Sequence, residues 1–373
     1  MLTTLVVTNG RTNAMGKPPK QSLEEYAEQK AKERFTENAE IARSNRALHS
    51  ANAELRRDLI DLTKRLGLYE RLAEERLDPP TWLAPPKKDK AHVAIPCMLL
   101  GDIHWGEVVR PIEIDGLNCY NVRIAGQRVK RSFEGAIKLS RDYLAGVSYE
   151  GFTLFLTGDI VSGIIHEELR ETNQETVVES ILGVVEQLEA GINLLASTFG
   201  RVHVAAVVGN HGRLTRKPRA KRRAAESLDW LIYKMLERDC RSKGDVTVQV
   251  ADAADARVDV YSHRYVLTHG DQFVGGTGIS GALAPLLLGV HRKMRKEAAA
   301  GRPFDTLLMG HWHQSYFLKG LIVGGSVIGY NEYAAMKNLL PEAPQCAFWL
   351  NTPEHGPSIR ADVYPEDRKA EGW

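Results

Sequence analysis

"AHVAIPCMLLGDIHWGE", residues 91–107, joins an apolar run to a glycine and then to two polar residues, Asp102 and His104. The run reads as a β-strand, and the polar pair sits where that strand ends. The same arrangement recurs four times. "FTLFLTGDIVSG" (152–163) ends in Asp159, and "VHVAAVVGNHGR" (202–213) ends in Asn210 and His211. "RYVLTHGD" (264–271) ends in His269, and "FDTLLMGHWH" (304–313) ends in His311 and His313. In open α/β sheets ligands gather beyond the carboxyl ends of strands, so five such endings can meet in one crevice. The glycines before the polar residues let the chain turn sharply there.

Between these runs the pattern predicts helices near 123–145, 171–199 and 222–239. Apolar runs at 320–328 and 345–350, and "SIRADVY" at 358–364, read as further strands without long helices between them. Alternating strands and helices with a β-rich tail predict a layered α/β domain with a partly mixed sheet over residues 91–373.

The chain ahead of that domain has a different texture. Residues 1–21 read as a flexible N-terminus. From 22 to 77 there is no proline and one glycine, Gly67, in a stretch rich in Ala, Glu, Arg and Leu, which predicts a long helix. Ile41, Leu48, Leu55, Leu62 and Tyr69 recur every seven residues, with Leu59 and Leu66 between the later ones. That seam predicts a coiled coil that pairs with a second copy or docks a partner protein, although Asn38, Asn45 and Asn52 weaken its N-terminal half. Residues 78–90, rich in Pro and Lys, read as a linker.

Composition excludes several classes. At 373 residues and 43% hydrophobic the chain can bury a sizeable core. It has no apolar run of membrane-spanning length. Its four cysteines form no C-x-x-C pair, which argues against a thiolate zinc site and suits a reducing, cytoplasmic setting. The G-x-x-x-x-G-K phosphate loop is absent.

Two carboxylates, one amide and four imidazoles can hold two divalent ions if one carboxylate bridges them. Mixed imidazole and carboxylate ligation suits manganese, iron or zinc, manganese being our first choice. The ordered series D-x-H, G-D, G-N-H, H, G-H-x-H over 102–313 resembles the calcineurin-like metallophosphoesterase family. The resemblance implies an α/β/β/α sandwich with mixed sheets and hydrolysis of phosphoric esters at two metals. It implies that Asp102, His104 and His313 hold the first metal, that Asp159 bridges, and that Asn210, His269 and His311 hold the second. His211 would contact the phosphate and protonate the leaving oxygen. "GDIVSGIIHEEL" with "GNHGRLTRKPR" resembles members carried by bacteriophages, for which the setting would be the host cytoplasm.

Two departures stand out. Many relatives follow G-N-H with Asp or Glu, whereas Gly212 follows here, and "GDIVSG" has Ser162 where the phosphoprotein phosphatases have an Asp. His211 therefore needs another partner, for which Glu167, Glu168 and Asp271 are the nearby candidates. The loop that follows, "GRLTRKPRAKRR" (212–223), carries Arg213, Arg216, Lys217, Arg219, Lys221, Arg222 and Arg223 and no acid. A basic loop at the rim of a phosphate site predicts nucleic acid as substrate, making the protein a nuclease. A second basic stretch, "HRKMRKEAAAGR", lies at 291–302. The alternatives are a phosphomonoesterase, a phosphodiesterase for small nucleotides, or a non-catalytic coiled-coil protein.

Overall fold

The computed structural model describes residues 23–73, 92–273 and 283–373. The expected N-terminal lead-in and the 78–90 linker lie outside the described residues, as does the glycine-rich "GGTGISG" (275–281). Contacts divide the chain into two units, Met1–Leu68 and Tyr69–Trp373.

The first unit is built on one helix, α1 (Leu23–Ala73), with Glu24 and Glu25 in its first turn, where acids complement the helix dipole. Leu48 and Leu55 of the heptad series are 57% and 64% exposed.

The second unit runs β1 (Val93–Leu100), α2 (Val122–Lys138), β2 (Ser148–Tyr149), β3 (Phe152–Leu156), α3 (Glu167–Thr172), α4 (Val177–Phe199) and β4 (Val202–Ala206). It continues through α5 (Leu228–Cys240), β5 (Val246–Val250), β6 (Asp255–Val260), β7 (His263–Thr268), α6 (Leu283–Ala299) and β8 (Thr306–Met309). β9 (Tyr316–Leu318), β10 (Leu321–Val323), α7 (Glu332–Met336), β11 (Cys346–Thr352), β12 (Gly356–Val363) and α8 (Arg368–Glu371) complete it. One sheet has the order β12-β11-β1-β3-β4-β5, with β2 beside β1, and the other β6-β7-β8-β10-β9. Both are mixed. β1, β3, β4 and β5 are parallel, while β11 and β12 return antiparallel, and β7, β8 and β10 are parallel between antiparallel β6 and β9.

Alternation along the strands sets the layers. Ile95, Cys97 and Leu99 of β1 enter a core shared with Leu267, Leu308 and Ile322 of the second sheet. Ala94, Met98 and Leu100, on the other face, pack with the helices. α4 presents Ile181, Val184, Val185, Leu188, Ile192 and Leu195 to that core at helical spacing. It starts at a Thr176–Glu179 capping box and stops at Gly200 with φ 80°. Val266, Leu307 and Met309 point to the outer face of the second sheet, where Leu286 and Val290 of α6 cover them. The layers are thus helix, sheet, sheet, helix. Between the sheets Trp349 stacks on Phe155 at 5.7 Å and donates Nε1–H to Tyr265, and its truncation to alanine would cost about 3–5 kcal/mol.

Two expected helix starts move, and the one expected at 171 falls at Val177, behind its Thr176 cap. The helix expected from 222 begins at Leu228, because residues 213–227 form an irregular loop closed by the Arg213–Ser227 bridge and the Leu214 N–H to Glu226 carbonyl bond. Among the described residues no helix is long and apolar enough to cross a membrane.

Candidate metal centre

Parallel register brings the strand ends level: Leu100 pairs with Leu156 and Leu156 with Ala206, and each chain then runs on into its polar residues. Backbone bonds tie the turns together, with Asp102 N–H donating to the Gly158 carbonyl and Gly310 N–H to the His269 carbonyl. The turns pass so close that a Cβ on Gly209 would lie 2.1 Å from Asp159 Oδ1, and one on Gly310 2.4 Å from Asp102 Oδ2. Side chains are excluded at both positions.

The seven expected ligands converge. Ligand atoms of Asp102, His104 and His313 lie within 4.8 Å of one another, as do those of Asp159, His269 and His311, and those of His104, Asp159 and His211. Asp159 belongs to two of these groups. Asn210 joins the second, its Oδ1 3.0 Å from His269 Nε2, which is itself 3.1 Å from Asp159 Oδ2. In the first, His104 Nε2 and His313 Nε2 are 3.3 Å apart, and His313 Nε2 is 3.5 Å from Asp102 Oδ1. Atoms bound about 2.1 Å from one ion lie about 3.0–3.4 Å from each other in octahedral or tetrahedral arrangements. Asp102 Oδ1 is buried without a hydrogen-bond partner, so its lone pairs are left for a cation. The residues fit two divalent ions.

Five of the ten non-glycine residues with positive φ among the described residues are ligand candidates. Asp102 (φ 47°), His104 (50°), Asp159 (49°), His311 (72°) and His313 (51°) all occupy the left-handed region. Non-glycine residues are rare there, and the cost is about 1 kcal/mol or more each. Five of seven ligands carry this strain.

Burial lowers the proton affinity of His104, but the Glu107 carboxylate and the charges of Asp159 and Asp102 outweigh it and bring the pKa to about 9. Burial likewise opposes charge on His269, yet Asp159 beside it, then Asp102 and Asp271, raise its pKa to about 10. Burial also opposes charge on Asp159 and Asp102, but nearby imidazoles hold both carboxyls below their usual range. These carboxylates thus favour the charged forms of His104 and His269. A metal must displace a proton from any nitrogen it takes.

Second neighbours aim the ligands. His269 Nδ1–H donates to the Thr157 carbonyl at 2.7 Å. Glu107 Oε2 lies 3.4 Å from His104 Nδ1, and its Oε1 accepts from Asn331 Nδ2 at 3.0 Å. Asp229, buried at the start of α5, accepts the N–H groups of Asp159 (3.0 Å), Ile160 (3.2 Å) and Gly209 (2.9 Å). One carboxylate therefore fixes two ligand-bearing turns. Neither Glu107 nor Asp229 was expected from the sequence. At Gly212 a Cβ would lie 2.9 Å from Asp229 Oδ1, so the start of α5 leaves no room for a side chain there.

His211 donates Nδ1–H to the Ser162 carbonyl at 2.9 Å, so a backbone oxygen is the partner that the sequence left open. Asp271 instead binds Arg223 through both carboxylate oxygens at 2.8 Å, and Glu167 and Glu168 lie on α3. Burial pushes the His211 pKa down to about 4, against the pull of Asp159. Trp312 packs against the outer core of the second sheet.

The basic loop divides. Arg213 is bound to the carbonyls of Asn210 and Thr215, Arg219 pairs with Glu226, and Arg223 with Asp271. Arg216, Lys217, Lys221 and Arg222 are exposed and form no ion pair among the described residues. In the second basic stretch Lys293 binds Asp255 of β6 and ties α6 to the second sheet, while Lys296 and Arg302 pair with Glu297 of α6 itself.

No protein-family model and no curated protein matches the sequence. Three solved structures are similar at low scores. A conserved uncharacterized protein, a predicted phosphoesterase from Streptococcus pneumoniae TIGR4, is 12% identical, with 73% of this chain and 98% of that chain covered and a TM-score of 0.26. A dimetal phosphatase from Danio rerio is 10% identical, with 73% and 99% covered and a TM-score of 0.33. The phosphopantetheinyl hydrolase of Mycobacterium tuberculosis is 10% identical, with 74% and 98% covered and a TM-score of 0.28. Likeness this loose transfers neither ligand nor substrate to this chain.

Proposed function

We propose that the second unit is a two-metal phosphodiesterase of the calcineurin-like kind, acting on nucleic acid. The observation that carries the reading is the convergence of seven candidate ligand side chains from five strand ends, with Asp159 lying against His269 and His311 on one side and His104 on the other. Asp102, His104 and His313 would hold one ion and Asn210, His269 and His311 the other, manganese being preferred. Bound there, two such ions supply activation of water and neutralisation of the phosphate.

The protein's own contribution is positioning and proton control. Asp229 and the Thr157 carbonyl fix the ligands in place. His211 keeps its Nδ1 proton on Ser162, so any proton it moves passes through Nε2. Its burial favours the neutral ring, and the negative charge of a bound phosphate would favour charging it. Arg216, Lys217, Lys221 and Arg222, on the loop that leaves His211, give a polyanion a surface not already neutralised. α1 would pair with a second copy through its heptad seam, and the setting would be the cytoplasm, that of the host for a phage-type member.

The test offers the purified protein with added manganese a model diester, a model monoester, and single- and double-stranded DNA and RNA. His104→Ala and Asp159→Ala serve as blanks. Diester and nucleic-acid cleavage that is lost in both variants is expected. Cleavage of the monoester alone would sink the nuclease reading, and undiminished activity in both variants would sink the metal assignment.

A further inference from the structure

Beside the candidate metal centre lies a small hollow, open to solvent, whose wall includes the metal-ligand candidate Asn210. Three guanidiniums line it, those of Arg213, Arg219 and Arg223, together with Glu226 and Asp271. Each guanidinium is held on one side. Arg213 uses Nη1 on the Asn210 carbonyl (2.8 Å) and Nε on the Thr215 carbonyl (3.2 Å). Arg223 uses both terminal nitrogens on Asp271, and its buried Nε has no partner. Arg219 reaches Glu226 at 3.3 Å.

Fixed in this way, Arg213 and Arg223 are preorganised, while the exposed Arg219 can turn onto a ligand. Charge decides what they would take. Three guanidiniums and two carboxylates leave the hollow with one net positive charge. An internucleotide phosphodiester carries one negative charge, whereas a terminal phosphate carries about 1.5–2 at neutral pH. The hollow adjoins the metal centre through Asn210, as a neighbouring link of the same strand requires.

We propose that this hollow is a subsite for a second phosphodiester of the substrate strand, one link away from the bond cut at the metals. The proposal rests on the nuclease reading above. It makes a strand with two phosphodiesters the smallest good substrate, with Arg219 as a specificity determinant.

The test compares TpT, which has one phosphodiester, with TpTpT, which has two, and their uridine counterparts if RNA is the better substrate. Two further trinucleotides carry a neutral methylphosphonate at one link or the other. kcat/KM should rise at least tenfold from TpT to TpTpT, mainly through KM. One of the methylphosphonate isomers should be cut at its remaining diester no faster than TpT. Arg219→Glu, whose side chain is largely exposed and not needed for packing, should remove most of the increment. Equal kcat/KM for TpT and TpTpT, or an increment that survives in both methylphosphonates or in Arg219→Glu, would overturn the subsite while leaving the nuclease reading standing. Cleavage of the model monoester with none of the oligonucleotides cut would overturn both.

Discussion

Replacing Asp229 tests whether one buried carboxylate sets the metal centre. Asp229→Ala strands three buried donors, the N–H groups of Asp159, Ile160 and Gly209. A buried donor without an acceptor costs about 1–3 kcal/mol. Water entering the space left by the carboxylate would satisfy part of this, so the loss should be on the order of 4 kcal/mol. That is a large share of the roughly 5–15 kcal/mol a domain usually holds. Asp229→Asn keeps one oxygen, which can still serve Asp159 and Gly209, but it turns an amide toward Ile160. About half the loss, roughly 2 kcal/mol, is expected there. Urea denaturation followed by circular dichroism gives the stabilities, and manganese calorimetry gives the affinity of the folded variants. Affinity should fall in Asp229→Asn although no ligand atom has changed, because the one amide released, that of Ile160, directly follows Asp159 in the chain. A loss below 1 kcal/mol in the alanine variant, or wild-type manganese affinity in Asp229→Asn, would refute the reasoning.

Other perturbations follow from the same geometry. Glu107→Gln removes the charge beside His104 Nδ1 and should weaken manganese binding about tenfold to hundredfold, read by calorimetry; unchanged affinity would count against Glu107 as the residue that aims His104. Burial depresses the His203 pKa from 6.5 to about 4, so the neutral ring is favoured on folding. Its stabilisation is present above pH 6.5 and lost as pH falls toward 4, a change of roughly 3 kcal/mol that should be absent from His203→Gln in denaturation series across that range. If α1 pairs with a second copy, removing residues 1–85 should drop the mass seen by light scattering to that of one shortened chain; a full-length protein that is already monomeric would exclude the pairing.

The candidate ligands were legible because each sits at the end of an apolar run, all but His269 behind a glycine, a local pattern that survives in one dimension. The late strands were legible for the same reason, as short apolar runs, although their antiparallel return onto β1 was not. Asp229 and Glu107 could not be read forward. Asp229 binds backbone amides 20 and 70 residues away, and an amide has no sequence identity. The Ser162 carbonyl that holds His211 is invisible for the same reason. The start of α5 was misplaced because the basic loop is rich in helix-forming Arg, Lys and Ala. Its conformation is set by tertiary partners, Glu226 and Asp271 among them.

The left-handed backbone at the ligands has an evolutionary consequence. At Asp102, His104, Asp159, His311 and His313 a glycine would relax the main chain. The main-chain strain at each of these sites therefore favours glycine. At Asp102 and Asp159 the N–H groups of His311 and His211, which their carboxylates accept, weigh against it. At the three histidines the imidazole must be kept for its own sake, so their persistence in a lineage is a record of selection on the side chain.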